Sequence, residues 1–131
     1  MEKIAEEIIT QLKNKGFTIQ RYDSMTSKSI YIKLDYGVSQ SIRISDHQGK
    51  KHLKYRFNVH TGIEQPYQEN DGQFERFYYG AGDIDQLIED ILEHRKRRII
   101  DFGKSSYQYF MQKNKFEGTN KKGFWQSAQE V

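Results

Sequence analysis

The 131 residues carry 21 Lys and Arg against 18 Asp and Glu, a formal net charge of +3, and only 35% are hydrophobic. That length suits one domain, or one domain with a tail, and leaves no room for a second catalytic lobe. The lack of cysteine excludes a disulfide scaffold, a thiolate metal site and a cysteine nucleophile, and no run approaches the roughly 18 apolar residues of a membrane span, so neither a span nor a secretory signal is expected.

Nine Tyr, eight Phe and one Trp must supply much of the core. Residues 1–15 place Ile4, Ile8 and Leu12 four apart with Ile9 beside them and Glu2, Lys3, Glu6, Glu7 and Lys13 largely opposite, which predicts an amphipathic helix. Gly16 sits where such a helix closes, and Phe17 to Tyr22 changes to the two-residue period of a short strand. From Ser29, the residues Ile30, Ile32 and Leu34 alternate with Tyr31, Lys33 and Asp35, and Tyr36 and Gly37 make a turn. Ile42 and Ile44 then alternate with Ser41, Arg43 and Ser45. After a polar loop, Leu53, Tyr55, Phe57 and Val59 alternate with Lys54, Arg56, Asn58 and His60. This pattern predicts three strands of an antiparallel meander, each with one buried face and with Ile32, Ile44 and Phe57 buried together.

Thr61 to Gln73 reads as a long loop around the only proline, and Phe74 to Tyr79 as a further, aromatic strand. Asp83 is the expected N-cap of a second helix, with Gln86 completing a capping box. Ile84, Leu87, Ile88, Ile91 and Leu92 mark that helix's buried side, and His94, Arg95, Lys96, Arg97 and Arg98 its dipole-matched last turns before Gly103. Tyr107, Phe110 and Met111 suggest one or two more helical turns, and Glu117 to Val131 is polar enough to be disordered alone. The predicted architecture is a single α+β domain over residues 1–103: an N-terminal helix, an antiparallel meander sheet of four or five strands and a packed C-terminal helix. A short helical or disordered tail, basic and aromatic, follows at 104–131. The charge is uneven, nine basic against four acidic residues in 93–131 but 12 against 14 in 1–92.

With the apolar alternates inward, Tyr31, Lys33, Arg43, Lys54 and Arg56 share the outer face of the sheet, a surface suited to phosphate contact and stacking. The alternative is a solvated face on which cations blunt aggregation. Arg95, Arg97 and Arg98 offer a second set of phosphate contacts, or simply a water-exposed helix end. Asp46 and His47 open the loop after the third strand as candidate partner contacts. His47, His52 and His60 with Asp46 have the donor types of a zinc site but no compact zinc spacing. His47 and His60 are also the candidate proton-transfer pair of a small RNA nuclease; otherwise Asp46 forms a turn and the histidines are exposed. Trp125, beside Phe124 and near Lys121 and Lys122, resembles a short partner-binding segment that folds on contact, with plain disorder the alternative. No Walker or dinucleotide loop, G-x-S-x-G elbow or H-E-x-x-H is present, so no ordinary metabolic enzyme, cofactor or metal is expected.

The run Ser27, Lys28, Ser29, Ile30, Tyr31, followed ten residues on by Ser41, Ile42, Arg43, Ile44, Ser45, Asp46, His47, resembles small phage and prophage proteins of Gram-positive bacteria, some of them type II-A anti-CRISPR proteins that inhibit Cas9. The shared order of elements covers Phe17 to about Ile100. The resemblance implies a non-enzymatic inhibitor in the cytoplasm of an infected bacterium, whose partner is Cas9 or another defence ribonucleoprotein. The excess of basic residues suits contact with guide RNA better than mimicry of DNA. The alternatives are a small nucleic-acid-binding protein or the histidine-based nuclease of a mobile element.

Overall fold

The computed structural model describes residues 1–46, 53–60, 67–70, 72, 75–120 and 128–131. Helix α1 (Glu2–Asn14) buries Ala5, Ile8, Ile9 and Leu12, the side its spacing selects. It stops where Gly16 takes a positive φ of 88°, so that the Gly16 N–H reaches the Lys13 carbonyl and the Phe17 N–H the Leu12 carbonyl. This left-handed closure favours glycine. Arg21 of strand β1 (Ile19–Asp23) then ties the helix to the sheet by donating to both carboxylate oxygens of Glu2 while also bonding Asp23.

The strands β2 (Ile30–Leu34), β3 (Ser41–Ser45), β4 (Tyr55–Asn58), β5 (Tyr67–Asn70), β6 (Glu75–Tyr79) and β7 (Gln129–Glu130) join β1 in one seven-stranded sheet, ordered β5-β6-β4-β3-β2-β1-β7. The α+β class holds, but the sheet is mixed rather than an antiparallel meander. β1, β2 and β3 are antiparallel neighbours, whereas β3 pairs with β4, and β4 with β6, in parallel. Alternation specifies which face of a strand is buried, not the direction of its neighbour, so a polar connection between two alternating runs does not distinguish a meander from a parallel pair.

Ile32, Ile44 and Phe57 do meet in one core with α1, and with Leu87, Ile88 and Ile91 of α2 (Ile84–Phe102). The expected capping box does not form: Asp83 accepts from the Gly80 N–H, and Gln86 reaches Asp90. The C-terminal third also differs from the predicted tail. Gly103, at φ 86°, separates α2 from a full second helix, α3 (Lys104–Asn120), and β7 adds an edge strand beside β1. No helix among the described residues is long and apolar enough to cross a membrane.

Candidate functional site

The face of the sheet turned away from α1 and α2 carries one continuous row. Cross-strand partners run Tyr22 to Tyr31, Tyr31 to Arg43, Arg43 to Arg56, Arg56 to Tyr78 and Tyr78 to Tyr67, across β1, β2, β3, β4, β6 and β5. The register therefore brings Tyr31, Arg43 and Arg56 together, as alternation requires. The expectation that they point into water is corrected: Tyr31, Arg43 and Arg56 are only 6, 2 and 8% exposed. The arginines stack outward from the centre of the row, Arg43 at 6.0 Å from the Tyr31 ring and Arg56 at 5.4 Å from that of Tyr78. Arg43 donates Nη2 to Ser29 Oγ at 3.1 Å, and its Nε and Nη1 are buried without a hydrogen-bond partner. Ser41 and Ser45, on the same face as Arg43, are buried too.

Lys33 shares this face, half-buried, and burial lowers its amine pKa. Lys54 does not join the row. Its Nζ leans over the Phe77 ring at 5.3 Å and reaches Glu75 Oε2 at 3.4 Å, on the side where Phe77 packs against His94. The row is thus withdrawn from water rather than presented as an open stacking platform.

The basic run of α2 is divided by the helix rather than presented together, because α2 continues to Phe102 and makes the run an interior stretch. Arg95 turns inward: its guanidinium lies 4.1 Å over the Phe17 ring, and its Nε is 3.1 Å from Asp35 Oδ2. Arg98 is half-buried with Nη1 unpartnered, and only Arg97 and Lys96 are fully on the surface, beside Glu93, Ile100 and Asp101.

Two polar centres that hold the helices were missed at the sequence level. Asp35, fully buried, opens a left-handed turn in which it and Tyr36 have φ of 49° and 53°. Its Oδ1 accepts the Thr18 N–H at 2.9 Å, and its Oδ2 accepts the Tyr107 hydroxyl, which also bonds Ser39. Burial, reinforced by Asp35, pushes the Tyr107 phenol up to about 12, so it is a permanent donor that fastens α3 to the β2–β3 turn. An Asp ending a strand before Tyr-Gly reads as an ordinary turn-former, and nothing local announces its partners.

The second centre joins α2 to the sheet. The Tyr55 hydroxyl and His94 Nδ1 are 2.7 Å apart with the rings stacked at 5.7 Å, and the Tyr79 hydroxyl donates to Asp90 Oδ2 at 2.7 Å. Burial raises both phenols' pKa values, Tyr79 further through Asp90, and lowers that of His94. The imidazole is therefore held neutral. Because its folded pKa lies below the ordinary 6.5, the unfolded chain binds the extra proton first as pH falls. Stability is expected to be complete above about pH 6.5 and to decline below it, toward the lower folded pKa. Urea midpoints across this range should show the decline, and His94→Gln should flatten it. A His94→Gln profile parallel to the wild type assigns the decline to other groups.

Asp46 is exposed at the end of β3, and His60 is exposed with its N–H on Asn58 Oδ1. His47, His52 and Trp125 lie outside the described residues, so the proposed histidine pair and the aromatic tail contact are not brought to a site here. Among the described residues no group of His, Asp and Glu is placed to hold a metal ion.

One surface stands out that sequence reading did not assign. At the corner of α2 and α3, Ile100, Phe102, Tyr109 and Phe116 are 70, 51, 61 and 71% exposed. The Phe110 ring contacts those of both Phe102 and Tyr109, at 6.2 and 5.7 Å. Tyr109 and Phe116, seven residues apart, lie on the same side of α3. Lys96, Arg97 and Lys104 are exposed on the same pair of helices. The signal was present as aromatics in a region read as tail, where no packed helix was expected to display them. Compared with protein-family models, curated proteins and solved structures, the chain matches none.

Proposed function

We propose that this chain is a non-enzymatic inhibitor that docks on a bacterial CRISPR effector of the Cas9 type carrying its guide RNA, in the cytoplasm of an infected cell. The observation that carries the docking is the aromatic corner of α2 and α3, where Phe102, Tyr109, Phe110 and Phe116 are exposed. Aromatic side chains with neighbouring arginine are the residues that dominate binding energy at protein interfaces, and exposed apolar patches mark such interfaces. The effector class rests on the resemblance of the Ser27–Tyr31 and Ser41–His47 runs, and the exposed Lys96, Arg97 and Lys104 suit the guide RNA's phosphates beside a protein contact. An open nucleic-acid-binding sheet is less well supported, because its arginines are buried.

Gel filtration of the protein with guide-RNA-loaded Cas9-type effectors from Gram-positive bacteria, with the unloaded effectors and with guide RNA alone tests this. Co-elution with a loaded effector is expected, and weaker or no co-elution with RNA alone. The combined Phe102→Ser, Tyr109→Ser and Phe116→Ser variant, with an unchanged far-UV spectrum, should lose it, because these side chains are exposed rather than core. Wild-type protein that co-elutes with no loaded effector, or a folded triple variant that binds as the wild type does, overturns the docking.

A further inference from the structure

We infer that Arg43 and Arg56 form an internal anion site that takes a single phosphate group. The two arginines are cross-strand partners on parallel strands, neighbours in the sheet at the strand spacing of about 4.8 Å. Like charges placed opposite one another repel, and both are removed from water, where an uncompensated guanidinium is costly. Among the described residues no carboxylate forms an ion pair with either. The acid linked to the row, Glu69, lies beyond Tyr78 and accepts its hydroxyl at 2.6 Å. Stacking on Tyr31 addresses the face of the Arg43 guanidinium but not its N–H edges, whereas Arg56 stacks on Tyr78 and also donates to the Tyr78 hydroxyl. Arg43 still has two buried nitrogens, Nε and Nη1, without an acceptor.

Such an arrangement is complete only when an oxyanion fills it. Two adjacent cations favour a dianion over a carboxylate, and a phosphate monoester carries about −1.5 to −2 at neutral pH. Arginine is also the side chain whose planar donors match phosphate oxygens best. Ser29, Ser41 and Ser45 are buried on the same face as Arg43, and the Ser29 hydroxyl already accepts one Arg43 N–H. The near-complete burial of Arg43 admits a group rather than a continuous polynucleotide backbone. The ligand is therefore inorganic phosphate or the terminal phosphate of a nucleotide. This site is separate from the aromatic corner, so failure of effector binding does not affect it.

The test uses the full chain prepared in phosphate-free buffer. Thermal unfolding with increasing sodium phosphate, against sodium chloride at matched ionic strength, should show a saturable rise in Tm specific to phosphate. Phosphorus NMR of inorganic phosphate with wild-type protein should show line broadening reversed by excess phosphate, a readout that needs no variant. Arg43→Gln should weaken phosphate binding by at least about tenfold, as loss of a charge-assisted donor does, and Arg43→Lys should recover it only partly. Adenosine 5′-monophosphate binding more tightly than phosphate identifies a nucleotide end as the ligand; equal affinity identifies the free ion. Equal Tm in phosphate and chloride together with unbroadened resonances overturns the site, and assigns the buried arginines to stacking alone.

Discussion

Asp35→Ala is expected to destabilise the protein by about 3–5 kcal/mol, the usual cost of removing one partner from a buried ion pair. The substitution strips Arg95 of its carboxylate, leaves the Thr18 N–H without its acceptor and removes the Asp35 oxygen that accepts the Tyr107 hydroxyl. It also puts alanine at a φ of 49°, a left-handed position that Asp tolerates better. The damage should be greatest at α3, because Tyr107 is its buried anchor and two further ties, Asn114 Nδ2 to the Tyr36 carbonyl and Lys115 over the Tyr36 ring, depend on the same turn. Asp35→Asn keeps the shape and an acceptor for Thr18, and should cost less. Urea unfolding followed by far-UV dichroism, with limited proteolysis between Gly103 and Asn120, checks both parts. An Asp35→Ala loss below about 1 kcal/mol, the scale of a surface ion pair, shows that α3 is held elsewhere.

Phe57→Ala is expected to cost a similar amount, about 3–5 kcal/mol, for a different reason. Phe57 is 1% exposed on the interior strand β4 and belongs to the cluster that includes Ile32, Ile44, Tyr79, Leu87 and Ile91. Its neighbours belong to a sheet on one side and two helices on the other, so the cavity cannot collapse fully and the lost contacts add to the lost transfer energy. Phe57→Leu, which retains most of the volume, should cost less. A Phe57→Ala variant with an unchanged urea midpoint contradicts this core and the register that places it.

The helical spacing of Ile4, Ile8 and Leu12, and the alternation at Ile30–Leu34 and Ser41–Ser45, are direct imprints of burial on one face, and these elements stand where the pattern puts them. Alternation also placed Tyr31, Arg43 and Arg56 on a common face. What it cannot convey is whether that face meets water. A buried arginine and an exposed one occupy the same alternating position, and only the folded chain distinguishes them. Strand direction was hidden for a related reason: the hydrogen bonds that make β3 and β4 parallel belong to the backbone. β5 lies inside a stretch whose polar, proline-containing composition predicts a loop, and the two-residue β7 is too short to carry a period. In α3, Tyr109, Phe110 and Phe116 are exposed instead of forming an apolar stripe, so its pattern does not announce a packed helix. The hub at Asp35 joins residues from four separate parts of the chain, and such long-range pairing leaves no local signature.

DNA cleavage by a guide-RNA-loaded Cas9-type effector, measured while the protein is titrated in, tests the proposed function most directly. Loss of cleavage near equimolar protein, relieved by the Phe102→Ser, Tyr109→Ser and Phe116→Ser changes, is the predicted result. Undiminished cleavage at large molar excess by every effector with which the protein has been incubated before DNA is added contradicts it.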